Sequence, residues 1–218
     1  MNNNLSKRIF TSIILLTVLL ACLFFHKYLW LLLLIIASVV SFFEFNNLAK
    51  KIWNKKIISV VLSKIISCFY LIFFTYSVFD LSKYEEIIMI HVLFVCIFSD
   101  IGGYIIGKSI GGKKLTKISP KKTISGVLGA FTFSLIPTIL FSIIYHERMI
   151  HSVTEIFLIT LILSFICQSG DLFISYFKRK AKVKDTGTIL PGHGGLLDRI
   201  DGIIFGVPAF YIIEKIFY

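Results

Sequence analysis

Charge is scarce in this chain, and acid is scarcer still. Only 16% of its 218 residues are charged, and 12 Asp and Glu stand against 23 Lys and Arg. Soluble domains carry about a quarter charged residues. With 56% hydrophobic residues, 22 Phe and a mean hydropathy of +0.87, a soluble fold of this length is excluded. Cysteine is nearly absent too. Cys22, Cys68, Cys96 and Cys167 each lie in an apolar run without metal-ligand spacing, so neither a disulfide framework nor a zinc site is expected, and helix packing is their expected role. There is no internal repeat and no low-complexity stretch. No small-residue cleavage site follows the first apolar run, so that run is expected to stay as an anchor and not to be removed as a signal peptide.

What the chain does have is long apolar segments. A helix needs about 20 mostly apolar residues to cross a hydrocarbon core of roughly 30 Å. Seven candidates lie near 9–25, 28–43, 57–79, 87–107, 124–145, 153–176 and 203–218. The expected fold class is all-α: a polytopic integral membrane protein of about seven transmembrane helices. N-terminal helices occupy 1–94, and a region over 95–218 carries the long polar loops 108–122 and 177–202. The last candidate span is short and holds Pro208, Glu214 and Lys215, which suits a tilted or incomplete crossing.

Lysine and arginine test this count independently, because cytoplasmic loops hold the excess of positive charge. Eighteen of the 23 fall in segments assigned to the inside, four outside, and one, Lys64, within a span. The N-terminus and both long loops are therefore expected to be cytoplasmic. The net charge of +11 then lies against anionic lipid head groups and requires no nucleic acid.

An acid inside a span is costly and marks a functional candidate. Asp100 interrupts the fourth span and Asp171 the sixth, where Gln168, Ser169 and Gly170 precede it, as at a helix end opening into a watery site. Glu44, near the end of the second span, reads as an interfacial anchor. Asp100 and Asp171 both lie toward the inside ends of their spans, so one cytoplasmic pocket is expected. The loop after the fourth span offers glycines, lysines and the hydroxyls of Ser119, Thr123 and Ser125, a composition suited to a polyphosphate. It lacks the spacing of a P-loop. The second loop alternates Asp171, Asp185, Asp198 and Asp201 with Lys178, Arg179, Lys182, Lys184 and Arg199. Magnesium favours one or two carboxylates plus phosphates and water, so Asp171 and Asp198 read as metal ligands that folding brings together. Gly192, Gly194 and Gly195 around His193 would let backbone close over a ligand.

The order Ser175, Lys178, Arg179, Lys184, Asp185, Gly187, Pro191, Gly192, His193, Gly194, Gly195, Asp198, Arg199, Asp201, within 27 consecutive residues, resembles the signature of the phosphatidate cytidylyltransferases, the CDP-diacylglycerol synthases. Two further stretches match in the same order: Asp100, Gly102, Tyr104 and Gly107, then Ser119-Pro-Lys-Lys-Thr123 with Gly126. The family usually continues the second stretch with Trp-Glu-Gly, where this chain has Ile124-Ser125-Gly126, so no role for that glutamate carries over.

The resemblance implies a nucleotidyltransferase of phospholipid biosynthesis: CTP and phosphatidate give CDP-diacylglycerol and pyrophosphate. It implies magnesium, one or two cations in all, held by Asp171 and Asp198 with Asp100 completing the shell. Ser119, Lys121, Lys122, Thr123 and Gly126 would grip the triphosphate. Lys178, Arg179, Lys184 and Arg199 would be shared between CTP and the lipid phosphate, Asp185 and Asp201 would act as further ligands or orient the bases, and His193 would belong to the catalytic set. The expected partners are CTP, phosphatidate and membrane lipids, and a homodimer is compatible with this reading. The expected location is the bacterial cytoplasmic (inner) membrane. A CTP-dependent polyprenol or phytol kinase shares the need for membrane, metal and nucleotide but not the Pro191 to Gly195 stretch. An ion-coupled transporter would place its acids near the midplane.

Overall fold

The computed structural model describes residue 14 and residues 17–84, 86–116, 118–145, 152–190 and 194–217. Its elements are helices: α1 (Lys27–Ile52), α2 (Ile57–Tyr84), α3 (Glu86–Ile110), α4 (Ile124–Ile144), α5 (Val153–Lys180) and α6 (Leu197–Phe217). Residues 17–25 are helical as well. The all-α expectation holds. Five of the described helices, α1 to α5, are long and apolar enough to cross a membrane, and the chain is an integral membrane protein. Residues 9–13, 15 and 16 of the first expected span, 9–25, lie outside the described residues, and α6 is not among the five. Seven spans are thus an expectation of which five are met.

Several helices overrun the apolar segments that announced them. Helix α5 continues to Lys180 and ends where Lys182 adopts φ 56°. There Lys182 N–H donates to Arg179 O (3.1 Å) and Val183 N–H to Lys178 O (3.0 Å), the paired bonds that close a helix through a left-handed residue. Lys178, Arg179 and Lys180 occupy the last turn, where cations favour the helix dipole. Helix α6 begins at Leu197, six residues before the expected 203, so Asp198, Arg199 and Asp201 are helical. The expected loop 177–202 therefore shortens to 181–196. At the start of α5, Ser152 Oγ accepts from Glu155 N–H (3.3 Å) and Glu155 Oε2 from Ser152 N–H (2.8 Å), a reciprocal capping box.

The chain forms two compact units, with boundaries inside α5 and α6: residues 1–86 with 177–201, and 87–176 with 202–218. In the first, α1 packs on α2, where Ser38 Oγ and Thr75 Oγ1 share a hydrogen bond of 2.7 Å. The Phe45 and Trp53 rings lie 5.2 and 6.0 Å from that of Phe177. In the second unit, small residues let helices approach closely, as in membranes generally. A Cβ at Gly129 of α4 would lie 2.7 Å from Gly102 O of α3. Buried hydroxyls join the helices: Ser99 to Ser164 (2.8 Å), and His91 to Thr138 (3.1 Å) to Thr160 (2.7 Å). The expected packing role fits Cys96 and Cys167, which are buried with Sγ atoms 2.8 Å apart. Cys68 is exposed and Cys22 half-buried.

Candidate active site

The second unit holds a pocket of about 620 Å³ between α3, α5 and the loop that enters α4. That loop is folded back on itself. Leu115 N–H donates to Lys122 O (2.8 Å) and Ile124 N–H to Lys113 O (3.0 Å), with a turn closed by Lys122 N–H on Ser119 O (3.0 Å). Gly111 and Gly112 take φ values of 64° and 102°, which side chains disfavour. Thr123 caps α4 by accepting from Gly126 N–H (3.1 Å) and is bonded to Ser125 Oγ (2.9 Å). Gly126 is required where α4 meets α3, since a Cβ there would lie 2.8 Å from Gly103 O. Helix entry, hairpin and pocket wall are thus one local structure.

Seven of the residues singled out from sequence line this pocket: Asp100, Ser119, Lys121, Lys122, Thr123, Gly126 and Asp171. The expected convergence of Asp100 and Asp171 is met. Lys122 forms an ion pair with Asp171, and Ser175 Oγ donates to Asp171 Oδ1 (3.3 Å). Tyr104, Lys108 and Gln168 also line the pocket and had no assigned site role, although the spacing of Gln168 to Asp171 on α5 and of Asp100 to Tyr104 on α3 places each pair on one helix face.

The other predicted residues belong to the first unit. Asp198 Oδ1 accepts from Lys178 Nζ (2.7 Å); its Oδ2 accepts from Thr186 N–H (2.7 Å) and Gly195 N–H (3.1 Å). Burial pushes the Asp198 carboxyl up, but the Lys178 ammonium and the two backbone N–H groups outweigh it and hold the carboxyl below its ordinary value. Leu190 and Gly194 exchange backbone hydrogen bonds (2.9 and 3.2 Å), Gly194 at φ 92°. A Cβ on Gly194 would meet Asp185 Cβ and Asp198 Oδ2, each at 3.1 Å, so the two acids flank that glycine. Arg179, Lys184 and Arg199 are exposed, and Asp201 is buried. Pro191, Gly192 and His193 lie outside the described residues.

The structure corrects the reading of Glu44. It is no surface anchor: at 3% exposure it is buried in α1. Its Oε2 accepts from Thr186 Oγ1 (2.7 Å) and Leu197 N–H (2.9 Å), and its Oε1 from Leu196 N–H (3.0 Å). It thereby satisfies amides at the start of α6 that would otherwise lack partners.

Magnesium takes carboxylate and other oxygen ligands and keeps several waters. The oxygen donors of Asp100 and Asp171, with Ser119 and Thr123 hydroxyls in the same pocket, have that chemistry. Among the described residues no three His, Cys, Asp or Glu side chains cluster as a ready-made cage. A site that keeps several waters and draws on substrate phosphates does not need one. Asp198 has its Oδ2 saturated by backbone and would ligate through Oδ1, in exchange for Lys178.

Lysines and carboxylates held by glycine-rich turns at the ends of long helices define a class: helical membrane proteins whose charged side chains gather in a few polar turns. Within it, the chain belongs to the cytidylyltransferase family, whose family model matches residues 53–217. It is 37% identical over 220 residues to the phosphatidate cytidylyltransferase of Rickettsia typhi, covering 97% of this chain and 92% of that protein. It is also 36% identical over 142 residues to the phosphatidate cytidylyltransferase of Bacillus subtilis, covering 63% and 52%.

Proposed function

We propose that the chain is a phosphatidate cytidylyltransferase, transferring the cytidylyl group of CTP to phosphatidate with release of pyrophosphate. The observation that carries this is the pocket in which Lys121 and Lys122, on the hairpin that caps α4, stand with Asp100 and Asp171. A phosphate-gripping loop and two carboxylates in one pocket suit a nucleoside triphosphate.

In the proposed reaction an oxygen of the phosphatidate monoester attacks the α-phosphorus of CTP, and the bond to the β-phosphate oxygen breaks. The monoester, with a second pKa of about 6, is largely a dianion at neutral pH. It needs alignment and charge neutralisation more than a general base, which suits a site rich in lysine and carboxylate. Lys122 would leave Asp171 for the triphosphate, with Lys121 and the Ser119 and Thr123 hydroxyls beside it. Lys178, Arg179, Lys184 and Arg199 would neutralise CTP and lipid phosphates, with His193 in the same catalytic set, while Asp185 and Asp201 would orient those bases. Magnesium, held by Asp100 and Asp171 and, in the first unit, by Asp198, would supply charge stabilisation for the leaving pyrophosphate. The basic turns ending α1, α3 and α5 support placing both loops on the cytoplasmic side of a bacterial inner membrane, where CTP is found.

The test is purified protein with labelled CTP and phosphatidate, with and without magnesium. Magnesium-dependent CDP-diacylglycerol is expected. Phosphorylation of an isoprenoid alcohol in its place would move the assignment to a lipid kinase.

A further inference from the structure

We infer that Glu44, which lies outside every signature motif, is the positioning residue that sets Asp198 and Lys178 for the reaction; this rests on the function proposed above. Two carboxylates bracket one segment of the first unit. Asp198 holds the backbone N–H groups of Thr186 and Gly195, and Glu44 holds the Thr186 hydroxyl and the N–H groups of Leu196 and Leu197. Thr186 Oγ1 lies 2.7 Å from Glu44 and 3.0 Å from Asp198, yet it has one proton to give. Asp198 Oδ2 already takes two N–H groups, so the hydroxyl proton belongs to Glu44. Thr186 is then fixed by one acid through its side chain and by the other through its backbone.

The glycines record the same dependence. Gly187 has no left-handed φ, so its backbone conformation does not by itself call for glycine. A Cβ there would nevertheless stand 2.5 Å from Glu44 Oε1 and 3.0 Å from Glu44 Cδ, with no other group among its three nearest atoms. A Cβ on Gly195 would overlap Glu44 and Thr186 Oγ1. At Gly187 the space beside the glycine is filled by a side chain from α1, more than 140 residues earlier in the chain, and at Gly195 by that side chain together with Thr186. Glutamine cannot replace that side chain fully: its amide nitrogen donates, and Glu44 receives donors at both oxygens.

The experiment compares the full-length native chain with Glu44→Gln, Glu44→Asp, Gly187→Ala and Glu44→Asp/Gly187→Ala in lipid–detergent micelles, reading CDP-diacylglycerol formation, thermal unfolding and amide exchange. Glu44→Gln is expected to lower kcat about tenfold or more while changing the KM for phosphatidate about twofold or less, with the protein still folded at the assay temperature. Glu44→Asp should recover part of that loss. Gly187→Ala should cost much in the native chain and little once aspartate has withdrawn the carboxyl. Native-like kcat in Glu44→Gln, or an equal cost of Gly187→Ala in both backgrounds, would overturn the inference. So would a kcat loss matched by loss of folded protein in Glu44→Gln with no rescue by Glu44→Asp. If the native chain makes no CDP-diacylglycerol, the functional assignment fails instead. The holding role is then judged on exchange: Thr186, Gly195, Leu196 and Leu197 amides must open about tenfold faster in Glu44→Gln while α3 to α5 stay unchanged. Unchanged exchange would reject it.

Discussion

Asp171 and Asp198 are each paired with a lysine, and each pairing makes a different demand. Asp171 shares the pocket with Asp100 and faces Lys122 from the α4 hairpin. Asp171→Asn should abolish turnover in the CTP assay while the protein still inserts; native activity would remove it from the proposed metal site. Asp198 is held below its ordinary pKa, and the sign of its pH effect follows. A depressed folded pKa contributes stability that is complete above the unfolded value, about 3.9, and is lost only as pH falls below it. Protease protection of residues 181–196 should thus be flat from pH 7 to about 5 as far as Asp198 is concerned. In Lys178→Met the largest opposing interaction is gone, burial is less opposed, and protection should fail at higher pH than in the native chain.

At the scale of elements, the ends of helices decide where chemistry is placed. Helix α5 is stopped by Lys182 in a left-handed conformation, which costs a residue with a Cβ about 1 kcal/mol. Lys182→Gly should therefore raise stability by about that amount in denaturant or thermal unfolding, provided its charge is not used for substrate. Helix α6 starts early because Glu44 and Asp198 between them satisfy amides from Gly195 to Leu197. Sequence periodicity does not register this, since the first turn of α6 is polar and resembles loop. The apolar cores of α1 to α5 were legible because about 20 consecutive apolar residues have few other uses. The start of α6 was not legible, because its partner Glu44 comes from a distant segment.

For the whole molecule, basic residues gather at the last turns of α1, α3 and α5, whereas α4 has none in its last turn and α2 only Lys83. Helices that alternate in direction would bring those basic ends to one side. In sealed vesicles of cysteine-free protein carrying Lys113→Cys or Lys184→Cys, a membrane-impermeant maleimide should label both positions from the cytoplasmic side alone. Labelling of the two from opposite sides would refute a common face.

Composition and pattern alone determined that this protein lives in a membrane, and they named two polar loops, with their lysines and aspartates, as the candidates for its chemistry. Hydropathy and motif spacing are local properties, written in consecutive residues. Tertiary structure decided that Asp100 and Asp171 line one pocket with the Ser119 to Gly126 hairpin, and that Glu44 is a buried acceptor and not a surface anchor. An isolated glutamate at the end of an apolar run reads the same whether it meets water or three hydrogen-bond donors. Only the folded chain brings Thr186, Leu196 and Leu197 to it, and burial makes that meeting consequential, because a carboxylate out of water must find its donors within the protein.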